Sequence, residues 1–212
     1  RVHRAVVALA GAAASVFAGV ISQDRAVAAI DFNTIGLLVG MMIIVAVTRR
    51  SGVFEFLAVL AAQVARGEPR RILAALAAVT AVLSAFLDNV TAVFLVVPVT
   101  FAITRTLQLR PFPFLVAEIV ASNIGGTATL IGDPPNIMIS GPAGLGFVDF
   151  LVNLAPVATV VFLVTIPLLI LIYRRRLVAD PELQAAVMRM EPGQYLHARP
   201  LLYESLTVLG LT

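Results

Sequence analysis

Two stretches of the chain collect the side chains able to hold an ion or a small polar molecule. The first runs from Ser84 to Thr91 and brings together Ser84, Asp88, Asn89 and Thr91: a carboxylate, an amide and two hydroxyls. The second, Ser122 to Asn136, reads Ser-Asn-Ile-Gly-Gly-Thr-Ala-Thr-Leu-Ile-Gly-Asp-Pro-Pro-Asn. Its candidate ligands are Ser122, Asn123, Thr127, Thr129, Asp133 and Asn136. Gly125, Gly126 and Gly132 loosen a helix, and Pro134 and Pro135 cannot continue one. A helix broken there frees backbone carbonyls that coordinate cations, while a helix N-terminus attracts anions. The chemistry in prospect is ion or substrate binding.

The surroundings make both stretches anomalous. The chain is 60% hydrophobic and only 13% charged, where a soluble domain carries about 25% charged residues. Its mean hydropathy is +1.00. Irregular backbone at membrane depth is tolerated only where it is buried in protein or lines a cavity. The absence of cysteine excludes disulfides and thiolate metal sites. His3 and His197 lie outside the apolar runs and are read as solvated, so no structural metal and no cofactor is expected. All 15 basic residues are arginines, set in small clusters between apolar runs as in membrane loops rather than in a nucleic-acid-binding patch.

Apolar runs fall at about 5–22, 34–48, 72–87, 90–104, 112–124, 128–131 with 137–148, and 151–173. The shorter segment 53–65 carries Glu55 and Gln63 between arginines and reads as an interfacial amphipathic helix. With Arg1 and Arg4 cytoplasmic, the runs thread so that only Arg25 of the 15 arginines lies outside, in keeping with the positive-inside rule. That path leaves Asp24, Arg25 and Asp31 in an external loop and makes 72–104 an excursion that leaves and returns. Its arms hold about 16 and 15 residues, roughly 24 and 22 Å of helix, short for a bilayer core about 30 Å thick. A re-entrant hairpin with its polar tip at Asp88 and Asn89 is therefore expected, followed by a broken helix over about 112–148. The charged, proline-containing segment 174–200 reads as a cytoplasmic linker. The expected organisation is a first transmembrane repeat over 1–173, this linker, and the start of a second repeat at 201–212, a piece of a longer chain in the inner membrane of a bacterium. The fold class is all-α, multi-pass and integral to the membrane.

Simpler readings stand beside these. Asp88 and Asn89 could form a tight external loop, and Asp133 and Asn136 could be helix caps. Gly125 and Gly126 could serve close helix packing. Pro156 and Pro167 read as kinks of the last long helix. Glu118 is either a buried partner for a proton or arginine, or a residue near the cytoplasmic interface.

Ser84-Ala-Phe-Leu-Asp-Asn-Val-Thr-Ala, taken with Ser122-Asn-Ile-Gly-Gly-Thr-Ala-Thr-Leu-Ile-Gly-Asp-Pro-Pro-Asn, resembles the ion transporter superfamily. That superfamily includes citrate-transporter-like permeases, arsenite and sodium/proton antiporters and the melanosomal P-protein. The resemblance implies a secondary transporter of two inverted repeats, each with a re-entrant hairpin and a broken helix, assembled as a homodimer and moving its binding domain across the membrane like an elevator. The dicarboxylate branch carries Ser-Asn-Thr at the hairpin. Asp88-Asn89-Val90-Thr91 instead looks like the arsenite, sodium/proton and P-protein branch. Carried over, Asn89 and Thr91 contact ion or substrate, and Gly125 to Asn136 form the facing wall.

The chemistry expected is transport of a small inorganic or organic anion, or of arsenite, coupled to protons or to sodium bound near Asp88 and Asn89. A carboxylate for which proton and cation compete is a sufficient basis for coupling. A sodium/proton antiporter is the near alternative and an ion channel the alternative of another class. An intramembrane aspartyl protease is disfavoured because residues 130–133 read Leu-Ile-Gly-Asp where that family has Gly-x-Gly-Asp. A purely structural role would not need polar breaks at membrane depth.

Overall fold

The computed structural model describes residues 3–30 and 32–195, and among them the regular structure is entirely helical. Asp31, His197, the last residues of the expected linker and the expected second-repeat start at 201–212 lie outside the described residues. The chain divides into two compact units, Arg1–Leu37 and Leu38–Thr212. In the first, α1 (Arg4–Phe17) packs with the short α2 (Gln23–Ala28). His3 is exposed and its Nδ1 accepts a hydrogen bond from the Ala5 N–H at 3.3 Å, capping α1. The helix α3 (Phe32–Arg49) runs across the division between the units.

The second unit is a bundle around α5 (Pro69–Ser84), which touches α4 (Val53–Val64), α6 (Asn89–Thr106), α7 (Phe112–Thr127) and α9 (Phe147–Tyr173). Its inward stripe, Ile72, Leu73, Leu76, Ala77, Thr80, Leu83 and Ser84, follows the three-to-four spacing of one helical face. The same spacing on α7 buries Phe114, Ala117, Glu118, Ala121, Ser122, Gly125 and Gly126. Here the polar and small residues face inward, while Ile119 is 52% exposed. On α6, Thr100 and Thr104 are buried while Phe94 and Phe101 are exposed. Helices that bury such polar groups beside an apolar stripe while exposing large apolar side chains suit an apolar solvent and would be costly in water.

Of the hairpin helices, α5 starts and ends three residues before its apolar run, and α6 is longer than its own. Pro69 opens α5, where its missing N–H costs nothing, and α6 continues to Thr106 through the exposed Pro98. At 18 residues and a mean hydropathy of 1.5, α6 is long and apolar enough to cross a membrane. So is α9, with 27 residues and a mean hydropathy of 2.6. It begins at Phe147 rather than 151, because the Asp149 carboxylate accepts the Gly146 N–H at 2.7 Å and caps its first turn. Pro156 and Pro167 lie inside α9, which runs on past both.

The expected linker is packed rather than loose. It forms α10 (Pro181–Met188) and a 3-10 turn (Pro192–Tyr195), which lie against α4, with α10 also reaching α6. Leu177 and Val187 enter the main core. The Gln63 side chain of α4 donates to the Met190 carbonyl at 2.5 Å. Gly67, at φ +71, leaves room for Gln184, whose backbone a β-carbon would strike.

At the crossing of α5 and α7, a β-carbon on Gly125 would overlap the Ala81 backbone. Gly125→Val should therefore destabilise the full-length protein by roughly 1–3 kcal/mol, read as a lowered melting temperature in detergent. Gly11→Ala, at a helical position with open space around it, should not lower it.

Candidate functional site

The break follows α7 and occupies Ala128 to Asp133 before α8 (Pro134–Ala143) begins. Gly125 and Gly126, expected to loosen the helix, are instead inside α7, and Pro134 and Pro135, expected to stop one, instead start α8. Both observations have a physical reason. The glycines are needed for close approach rather than for bending, and the first residues of a helix have no intrahelical acceptor for an N–H in any case.

The hairpin tip and the break meet through backbone and hydroxyl groups. The Ser84 hydroxyl donates to the Ser122 carbonyl at 2.7 Å in a buried contact. The Thr129 hydroxyl donates to the Ala85 carbonyl and accepts the Gly132 N–H at 3.2 Å. Gly126 and Gly132 abut each other beside Ser84: a β-carbon on Gly132 would come within 2.6 Å of the Ser84 carbonyl oxygen. At the surface of the junction the Asn89 amide donates to the Asn123 side-chain carbonyl at 3.4 Å. The Asn136 amide reaches back across the break to the Thr129 carbonyl at 2.8 Å and the Gly126 carbonyl at 3.3 Å. Asn136 therefore ties the start of α8 to the end of α7, satisfying carbonyls that the break releases.

Asp88 is the N-cap of α6, and its Oδ1 accepts the Thr91 N–H at 2.9 Å. Among the described residues Oδ2 is uncommitted. Asp133 holds the N-cap position of α8 without a side-chain capping bond and is half-buried. Thr127 is exposed and its hydroxyl returns to the Asn123 carbonyl at 2.7 Å. Pro134 and Pro135 are exposed. Thus Ser84, Asn89, Ser122, Asn123, Gly126, Thr129, Gly132 and Asn136 form one junction. Asp88 and Thr91 sit at its edge on α6, and Thr127, Pro134 and Pro135 contribute no bond to it.

The junction is richer in acceptors than in donors. The prolines remove two N–H groups from the start of α8, and the Asn136 N–H is taken by the Asp133 carbonyl at 3.0 Å. At the start of α6 the Asp88 carboxylate already occupies the favourable dipole end. The start of α8 therefore has no free N–H among its first three residues.

A second polar locus lies on α7 at Glu118, for which the sequence left a buried and an interfacial reading open and gave no partner. Glu118 is 1% exposed, and the Thr100 hydroxyl of α6 donates to its Oε1. The signal was present: Glu118, Ser122, Gly125 and Gly126 recur every three to four residues, on one face of a helix over 112–127.

A chain whose described residues are helical, whose exterior carries many large apolar side chains, whose core takes in Thr80, Thr100, Glu118 and Ser122 beside its apolar residues, and in which a helix breaks at a glycine junction is built as a membrane protein. The chain belongs to the citrate transporter family, whose model it matches over residues 1–212. It is 46% identical over 215 residues to an uncharacterized transporter of Mycobacterium tuberculosis (strain ATCC 25618 / H37Rv), an alignment covering 100% of this chain and 50% of the relative. It is 43% identical over 215 residues to the 46 kDa membrane protein of Mycobacterium leprae, with the same 100% and 50% coverage. The P protein of Homo sapiens is 41% identical over 191 residues, 85% of this chain and 23% of that protein. The chain thus spans about half the length of the mycobacterial relatives it matches.

Removing the Asn136 amide leaves the Thr129 and Gly126 carbonyls without this donor. Asn136→Ala in the full-length protein should cost about 1–3 kcal/mol. Hydrogen exchange measured by mass spectrometry should show the loss of protection concentrated over residues 126–140.

Proposed function

We propose that this chain is half of a secondary active transporter and supplies one half of its ion site. The reading rests foremost on one observation: a broken helix and a hairpin tip meet in a polar junction within a helical chain that exposes many large apolar side chains. Family membership supports it. In this reading residues 1–173 are a first transmembrane repeat with a re-entrant hairpin, 174–200 a cytoplasmic linker and 201–212 the start of a second, inverted repeat. The complete protein is a multi-pass homodimer in the bacterial inner membrane, with its arginine-rich loops cytoplasmic. It moves a small anion or arsenite by an elevator motion coupled to protons or sodium, and it needs no cofactor.

Asp88 is the coupling carboxylate. Its Oδ1 is held by the Thr91 N–H, which leaves Oδ2 for a proton or a sodium ion. Asn89, Asn123 and the carbonyls at the end of α7 offer further oxygens nearby. Asp133, with no capping duty for its side chain, is a second acidic group beside the break. Ser84, Ser122, Gly125, Gly126, Thr129, Gly132 and Asn136 hold the wall of the site in shape, with Thr127, Pro134 and Pro135 around them. An anionic substrate would depend on the bound cation and on the second half of the protein.

The lack of free N–H groups in the first turn of α8 favours a second reading, a sodium/proton antiporter, in which no anion binds. Proteoliposomes of the full-length protein distinguish the two. An antiporter collapses an imposed proton gradient on addition of sodium alone, whereas an anion transporter does so only with its substrate present. In either case Asp88→Asn should abolish the dependence of flux on pH. Transport that keeps its full pH dependence in this variant would remove Asp88 from the coupling role.

A further inference from the structure

The polar junction accounts for Ser84, Ser122 and Thr129 but not for the buried acid beneath it. Glu118 lies one helical turn before Ser122 on the inward face of α7 and is 1% exposed. Its Oε1 accepts from the Thr100 hydroxyl, while its Oε2 is buried and has no hydrogen-bond partner. The two buried threonines of α6 differ in their engagement: Thr104 turns its hydroxyl back to the Thr100 carbonyl at 2.7 Å, whereas Thr100 spends its own on the acid.

Charges on the elements packed around α7 lie at helix ends. Arg70 and Arg71 stand in the first turn of α5, Arg105 in the last turn of α6 and Asp149 in the first turn of α9, and all are exposed. Arg110 precedes α7 and Arg174 follows α9, both exposed. Asp88 caps α6 and Asp133 precedes α8. Among the described residues none of them bonds to Glu118. A buried carboxylate with one hydroxyl donor and no cation is expensive. A proton on Oε2 removes that charge, and with it the larger part of the cost.

We propose that Glu118, held by Thr100, is a proton-binding site between α6 and α7, separate from the Asp88 junction. It binds a proton in the packed state described here and releases it in a state that lets water or a cation reach Oε2. The difference in proton affinity between two such states is what couples proton movement to a conformational change. The inference rests on the reading of the chain as half of a transporter, but its test does not depend on flux alone.

Infrared difference spectroscopy on the purified full-length protein, scanned across pH, should show a protonated-carboxyl stretch that titrates and is lost in Glu118→Gln. Thr100→Val, which keeps the acid but removes its donor, should shift the titration midpoint of that band. In proteoliposomes Glu118→Gln should lose pH-driven flux. If Glu118→Gln does not fold, the Thr100→Val shift carries the test. The proposal is overturned if no band is sensitive to either variant, or if the band stays fully protonated from acid to alkaline pH. Failure of the Asp88→Asn test with the Glu118 band intact would instead remove only the Asp88 role.

Discussion

Where α5 crosses α7, backbone lies against backbone. A side chain at Gly125 would overlap Ala81, and one at Gly132 would press on Gly126 and the Ser84 carbonyl. The rest of the site depends on that contact distance. It brings the Ser84 hydroxyl to the Ser122 carbonyl, Thr129 to Ala85 and Asn89 to Asn123. Membrane helices associate without a hydrophobic drive between them, so small residues that allow close packing carry much of the attraction. The glycines therefore do two jobs at once: they hold the helices together and set the distance over which polar groups can meet.

The break after Thr127 is tolerable only because of this junction. Unpaired backbone groups are costly wherever water cannot reach them. Asn136 answers two of the released carbonyls, and Thr129 serves as donor to one neighbour and acceptor to another. The prolines that open α8 reduce the number of N–H groups needing partners. The outcome is a break that is mostly satisfied internally, with uncommitted acidity at its edges, in Asp88 Oδ2 and the Asp133 side chain.

Buried polar groups and exposed apolar ones recur along the same helices. Thr80, Ser84, Thr100, Thr104, Glu118 and Ser122 are buried, whereas Val82, Phe94, Phe101 and Ile119 are exposed. Most of the buried hydroxyls return to backbone carbonyls on their own helix, as at Thr80, Thr104 and Ser122. Thr100 and Ser84 are the ones that reach across to another helix, and each does so to α7. This makes α7 the helix on which the hairpin's polar groups converge.

Much of this was legible in the residues alone. Composition, the spacing of apolar runs and the distribution of arginines are local or additive properties, and they sufficed for helices suited to a membrane and for a break near Pro134. The identity of Asp88 as a cap was also within reach, because an aspartate preceding an apolar run is a familiar helix start. The three-to-four recurrence from Phe114 to Gly126 even marked which face of α7 turns inward. What the sequence could not decide was which groups spend their hydrogen bonds on one another. Asn136 as a clasp between helices, Gly125 as a contact rather than a hinge, the linker packed on α4 through Gln63, and Glu118 paired with Thr100 all depend on residues distant in the chain being placed within bonding distance. Local propensity cannot supply such distances. They arise only when whole helices pack together and every buried polar group must find its partner inside the protein.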